Sequence, residues 1–371
     1  MNRALRIAPF AVLLALVTAC SHGPPLDFAP DPALVAQIRS IQITPGYARA
    51  CPGSVITASY EAVLADSTHI PFQRGYDEKH PPRLHISFLE FTSAEATGRS
   101  DGSWLPAPDP LISATTGFRL SAALKAKPGI RATVVVPPDY NCTPRTFAYE
   151  GETYGHVHAG ENGPNVTVRI GHGRSPFYDK LIIVGIQVGQ QAPFYELYDA
   201  SSVQPADWLQ IESRGGRGST GGAGLQGGNA GPGAAGCPPQ NGGNGGDGGP
   251  GGAGGPGGRG GPVMIVAPDD DPYMAGLITV RNPGGYGGAG GPGGPGGQAG
   301  KGGEGQTLAD GRRCTNGADG VAGRRGVTGP TGSDGPHGPR PEIITVPNAQ
   351  LFGPSIPAEL AALLGGSHRG S

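Results

Sequence analysis

Residues 242–261 read GGNGGDGGPGGAGGPGGRGG, two glycines and one other residue in unbroken repetition. A period of three is that of the polyproline II helix, which rises about 3.1 Å per residue and has no internal hydrogen bonds. One bare residue in three leaves one face of such a helix without side chains, and two leave two faces. Bare faces let extended chains approach until N–H and C=O groups pair across them, as buried backbone requires. Flexible linkers are glycine-rich too, but they need no phase. Here the phase extends well beyond the quoted stretch. Every third residue from Gly215 to Gly260 is glycine at 14 of 16 positions, and from Gly284 to Gly338 at 16 of 19. Most of the 69 glycines lie between residues 214 and 340.

The phased region is two tracts, 214–262 and 283–340. The first loses its phase at its middle, Cys237-Pro238-Pro239-Gln240-Asn241. The second loses it over residues 307–316, which contain Cys314. Each tract therefore reads as two arms of about twenty residues joined by a turn, each arm reaching roughly 65 Å at the polyproline II rise. Two hairpins side by side bring their tips together and predict a Cys237–Cys314 disulfide. Short β-branched runs stand at all four ends: residues 208–211, 263–266, 277–280 and 343–346. Such runs beside turn residues read as strands. The glycine-rich module, 212–346, is thus expected to emerge from a small sheet. Residues 242–261 and 284–297, with two bare faces, are expected to be the most enclosed. Residues 317–338 carry one glycine per triplet, with Arg324, Arg325, Asp334 and His337 among the others, and belong outside.

These glycine tracts resemble collagen-like repeats and, more closely, the polyglycine II bundles of some antifreeze and phage-adhesin proteins. The resemblance covers about a third of the chain and rests on the period alone. Residues 317–340 are eight Gly-X-Y triplets, none with Pro at Y. A collagen triple helix needs three chains and usually Pro at Y. The turns and the Gly-Gly-X stretches suit antiparallel packing within one chain. An intrachain bundle and a trimeric stalk both remain open.

The N-terminus opens with Arg3 and Arg6, an apolar stretch at 10–17, then Val17-Thr18-Ala19-Cys20. This reads as a secretory signal over residues 1–19, too short for a spanning helix. Val17-Thr18-Ala19-Cys20 resembles the bacterial lipobox. The resemblance implies cleavage before Cys20, a diacylglycerol thioether on its sulfur and usually an acylated amine. Several acyl chains give stable anchoring where a single one does not. Ser21 after the Cys implies the outer membrane of a Gram-negative envelope. Residues 20–33 are a Pro-rich tether. Losing Arg3 and Arg6 leaves 25 basic against 29 acidic residues, a charge of −4. That gives no footprint for nucleic acid, which wants a basic stripe.

Residues 34–211 differ in composition and are long enough for one domain. Strand-like runs at 40–43, 54–60, 84–88, 118–124, 130–136, 166–170, 181–188 and 194–198 are separated by Gly or Pro turns. Regular short strands without long amphipathic helices predict an all-β fold, best matched by an immunoglobulin-like β-sandwich. Beyond Cys20, four cysteines remain: Cys51, Cys142, Cys237 and Cys314. Exported proteins form bridges, and the domain split favours 51–142 with 237–314. Residues 347–371 predict one short helix, with Pro357 at its start and Gly365-Gly366 at its end, and a disordered tail.

Catalytic motifs are missing. No glycine run ends in Gly-Lys-Ser/Thr, and there is no Gly-x-Ser-x-Gly elbow. No cofactor is implied. His156 and His158 project from one face of an extended strand; with His172 they are the one candidate metal set. Asp269-Asp270-Asp271 lacks calcium-ligand spacing and reads as a solvated turn between Pro268 and Pro272. Three functional readings stand: a non-enzymatic membrane-anchored lipoprotein presenting a rigid glycine surface to an envelope protein or glycan, a collagen-like stalk, and a metal-dependent enzyme using the histidines.

Overall fold

The computed structural model describes residues 24–25, 27–153, 159–203 and 208–365. The signal, Cys20, His156, His158 and the tail beyond 365 lie outside these residues. The chain is mainly β, in several small sheets, and divides into two compact units. The first ends at Pro108 and resumes over Thr116–Pro137; the second takes Asp109–Thr115 and runs on from Pro138.

In the first unit, a short helix α1 (Pro32–Gln37) starts at Asp31, whose carboxylate accepts from the Ala33 amide at 2.9 Å. The unit then forms β1 (Ile38–Pro45), β2 (Ala58–Leu64), β3 (His69–Pro71), β4 (Leu89–Thr92), β5 (Ala96–Gly98), β6 (Trp104–Pro106), β7 (Phe118–Leu124) and β8 (Lys127–Val136). They make antiparallel sheets β1-β2-β3, β4-β7-β8 and β5-β6. Alternation in β2 buries Ala58, Tyr60, Ala62 and Leu64 on one face, as a half-buried strand of period two must. Trp104 and Tyr60 are fully buried and satisfy each other: the indole N–H donates to the Tyr60 hydroxyl at 2.8 Å, which donates to the Gly102 carbonyl at 2.7 Å.

The second unit carries the glycine tracts. Beside the short helix α2 (Pro110–Ser113) and the C-terminal α3 (Ala358–Gly365), it has β9 (Thr146–Glu150), β10 (Val166–Ser175), β11 (Tyr178–Val188), β12 (Phe194–Asp199), β13 (Leu209–Arg214), β14 (Val263–Pro268), β15 (Ile278–Arg281) and β16 (Glu342–Val346). All four runs that flank the tracts are strands, but not of one sheet. β13 and β15, which lead into the tracts, are parallel neighbours in the sheet β15-β13-β9. β14 and β16, which leave them, are parallel neighbours in the sheet β12-β11-β10-β14-β16. Both sheets feed one apolar cluster, in which Val168, Ile170 and Ile265 meet Leu209, Ile211 and Ile278.

This corrects the expectation of a single sandwich over 34–211. Its strands divide between the two units at Pro137 and Pro138, and β9 to β13 belong with the glycine tracts. The reason is pairing: β9 and β10 each hydrogen-bond, in parallel, to a strand flanking a tract. Residues 86–88 are a turn of 3₁₀ helix rather than part of a strand. The helix expected near the C-terminus is α3, with Leu360 and Leu363 buried.

Candidate functional site

The glycine tracts belong to neither helix nor sheet, yet amides at every third residue tie them to one another. Four arms result: residues 215–236, 240–261, 284–305 and 317–338. The second arm donates to the first at every third residue, through Gly243–Gly231, Gly246–Gly228, Gly249–Leu225, Gly252–Gly222 and Gly258–Gly216. These two run antiparallel. The first donates to the third in parallel, from Gly218 to Tyr286, Gly221 to Ala289 and Gly224 to Pro292. The third donates back to the second, from Gly288 to Gly255 and Gly291 to Gly252. The other glycine of each second-arm pair donates to the fourth arm, as Gly251 does to Val327. The fourth donates to the third, as Gly329 does to Gly291. The second and third arms therefore touch each other and both outer arms, while the first and fourth are not paired with each other.

Side-chain oxygens finish the edges. Asn241, Asn244 and Asp247 on the second arm accept from the fourth-arm amides of Ala318, Val321 and Arg324 at 2.9, 2.8 and 2.7 Å. Asp334 and Asp319 on the fourth arm, and Asn316 just before it, accept from Gly287, Gly302 and Gly305 on the third. Asn282 ties the base, donating to the Pro339 carbonyl at 2.7 Å and the Gly261 carbonyl at 3.1 Å. At the tips, Cys237 and Cys314 form a disulfide with Cα atoms 5.6 Å apart.

Close approach explains the glycines, arm by arm. In the third arm both glycines of each pair are required: a Cβ on Gly290 would overlap the Gly329 carbonyl, and one on Gly291 the Gly222 carbonyl. In the first and fourth arms one row is required, such as Gly221 against Gly252 and Gly326 against Gly249. In the second arm the row of Gly251 and Gly254 is blocked by third-arm carbonyls, whereas a Cβ on Gly249 would meet Leu225 no nearer than 3.3 Å. The third arm is thus the most enclosed.

Cys51 and Cys142 are also disulfide-bonded. His172 lies on β10, half-exposed, with its Nε2 3.1 Å from Asp271 Oδ2. Asp270 accepts from the Asn348 side chain at 2.6 Å. Among the described residues, no three His, Cys, Asp or Glu side chains gather as metal ligands. No helix among them is long and apolar enough to cross a membrane. Burial, with Asp109 nearby, pushes the Glu196 carboxyl up to about 7, and burial also raises the hydroxyls of Tyr60, Tyr140, Tyr149 and Tyr198. No protein family, curated protein or solved structure matches the chain.

Sequence reading missed the side-chain caps. Their signal was present: Asn241, Asn244 and Asp247 recur at the period of three.

Proposed function

We propose that this chain is a non-enzymatic, lipid-anchored protein of the bacterial envelope whose glycine arms form a polyglycine II bundle, a rigid module for display and attachment. The amide ladder with a step of three residues carries this reading. Such a ladder fixes extended arms without a large apolar core, so each outward residue holds a set position. The disulfides are in keeping with an oxidising compartment outside the cytoplasm. Anchoring rests on Val17-Thr18-Ala19-Cys20 and the outer membrane on Ser21, by resemblance alone. Pairing of all four arms within one chain favours a monomer over a collagen-like trimer, whose bonds would cross between chains.

Light-scattering mass and amide hydrogen exchange on the purified protein test this together. A monomer with slow exchange at Gly288, Gly291 and Gly294 is expected. A trimer, or free exchange throughout residues 215–338, would overturn it.

A further inference from the structure

Residues 160–163 lie extended in the groove between the first and second arms. The Gly160 amide donates to the Pro256 carbonyl at 2.9 Å, and the Gly163 amide to the Arg259 carbonyl at 2.8 Å. The Gly216 amide donates to the Glu161 carbonyl at 2.7 Å. Residues 160–163 thus run parallel to the second arm, step by three, and take one bond partner from each wall. They also account for two second-arm glycines. A Cβ on Gly258 would overlap the Glu161 carbonyl, and one on Gly261 the Pro164 carbonyl.

Further along, the same row continues as Gly252, Gly249, Gly246 and Gly243, and among the described residues only the first arm comes near it. The bond partners continue too. Among the described residues, the amides of Gly222, Leu225 and Gly228 on one wall and the carbonyls of Ala253, Pro250 and Asp247 on the other have no hydrogen bond. They repeat the donors and acceptors that hold residues 160–163. No side chain caps these three amides, although Asn and Asp side chains cap others along the array.

We propose that this groove docks an extended strand of another polypeptide, with glycine at every third residue, running parallel to the second arm as a continuation of residues 160–163. The unpaired stretch, Gly222 to Gly228 facing Asp247 to Ala253, takes about seven residues of such a strand, roughly 20 Å. Exposed rows of unpaired backbone groups recruit extended chains in the same way at sheet edges. The glycine requirement comes from the stub: a Cβ on Gly160 would overlap the Gly216 carbonyl. A second copy offers no matching strand. Its third and fourth arms face their close-packing glycines inward, and the loose row of its first arm is interrupted by Leu225, which is 84% exposed.

The inference rests on the four-arm reading above, and hydrogen exchange separates the two failures. The probe is a capped synthetic peptide copying residues 317–338, which has one glycine per triplet, added to the full-length protein in detergent. Saturable binding is expected, with new protection at Gly222, Leu225 and Gly228. Gly246→Ala/Gly249→Ala/Gly252→Ala should weaken it at least about tenfold. A peptide with alanine at each third position should not bind. Should the triple variant unfold, Gly249→Ala alone serves, since its Cβ meets nothing nearer than 3.3 Å. With third-arm amides protected, no saturable binding, or equal binding by the variant or the alanine peptide, would overturn the docking site and leave the array standing. Unprotected third-arm amides would sink both. Self-association abolished by the triple variant would give the groove to a second copy and overturn the assignment to another polypeptide.

Discussion

The Gly291 amide donates to the Gly252 carbonyl at 2.9 Å, at the centre of the four arms. The Gly291 carbonyl accepts from Gly329, and any Cβ on Gly291 would strike the Gly222 carbonyl. One residue thereby governs the spacing of all four arms. Gly291→Val should force the first arm away and leave buried amides unpaired, each costing about 1–3 kcal/mol. Ala289→Ser changes an exposed residue of the same arm and should stay within about 0.5 kcal/mol. Chemical denaturation of the two variants checks this. Equal stability would count against close packing.

The second arm tolerates more at one glycine of each pair than at the other. Gly251 and Gly254 face the Gly291 and Gly288 carbonyls and should behave like Gly291. Gly254→Val should melt well below Ala253→Ser, as thermal scans would show.

The caps on the fourth arm make a separate prediction. Asn244 and Asp247 accept from Val321 and Arg324 at 2.8 and 2.7 Å. Asn244→Ala/Asp247→Ala should weaken the fourth arm by about 0.5–1.5 kcal/mol per lost bond. Hydrogen exchange should quicken at Val321 and Arg324 and hold at Gly255, which donates to Ser219 on the first arm.

Much of the array was legible because glycine reports close approach directly. The phase, its two breaks and the Cys237–Cys314 pair all follow from residues that sit at set intervals. The flanking strands were legible too, but not their partners. A run such as Ile343-Ile344-Thr345-Val346 says strand and nothing about β14 beside it. Parallel neighbours are joined by long excursions, here a whole glycine tract, and leave no local signature. The domain boundary was misplaced for the same reason: β10 reads as a sandwich strand until its bond to β14 is seen. In the second arm, Gly-Gly-X reads as two packed faces, whereas at Gly252, Gly246 and Gly243 one face is exposed.

Glu196 should make the second unit less stable as pH rises. Its carboxyl is raised from 4.5 to about 7 by burial and by Asp109 nearby. Between those values the folded chain binds more protons than the unfolded one, so stability falls with increasing pH. The contribution is fully present below about 4.5 and lost through about 7. Glu196→Gln should flatten that part of the profile. Melting temperatures of both proteins from pH 4 to 8 check this, and parallel profiles would assign the slope elsewhere.

Membrane attachment should depend on the Cys20 sulfur. Cys20→Ser should leave uncleaved precursor or release the protein from membranes. Fractionation with lipid labelling checks this, and normal labelling of the variant would remove the lipobox reading.

The disulfide should matter more than its place at the tips implies. Cys237 and Cys314 are 77 residues apart in sequence, and the bridge closes both hairpins into one loop. In the chain-entropy model a loop of that length contributes about 4 kcal/mol. Glycine loses more conformational freedom on folding than any other residue, and the arms have few large apolar side chains with which to offset that loss. Close by, Gln306 donates to the Gly236 carbonyl and Cys314 to the Gln306 carbonyl, so the bridge also holds the last bonds of the ladder in register. The other ends of the arms are fixed by β13 to β16 and their apolar cluster, which the bridge does not touch. Cys237→Ser should therefore fray the arms from the tips inward. Exchange should rise first at Gly233, Gly236 and Gly303, then at Gly294, and stay slow in β10 and β11. Peptide mapping without reductant should find 237 joined to 314 within one chain. Uniform loss of protection across the second unit would mean that the array and its base unfold as one, and that the tips do not act as a separate latch.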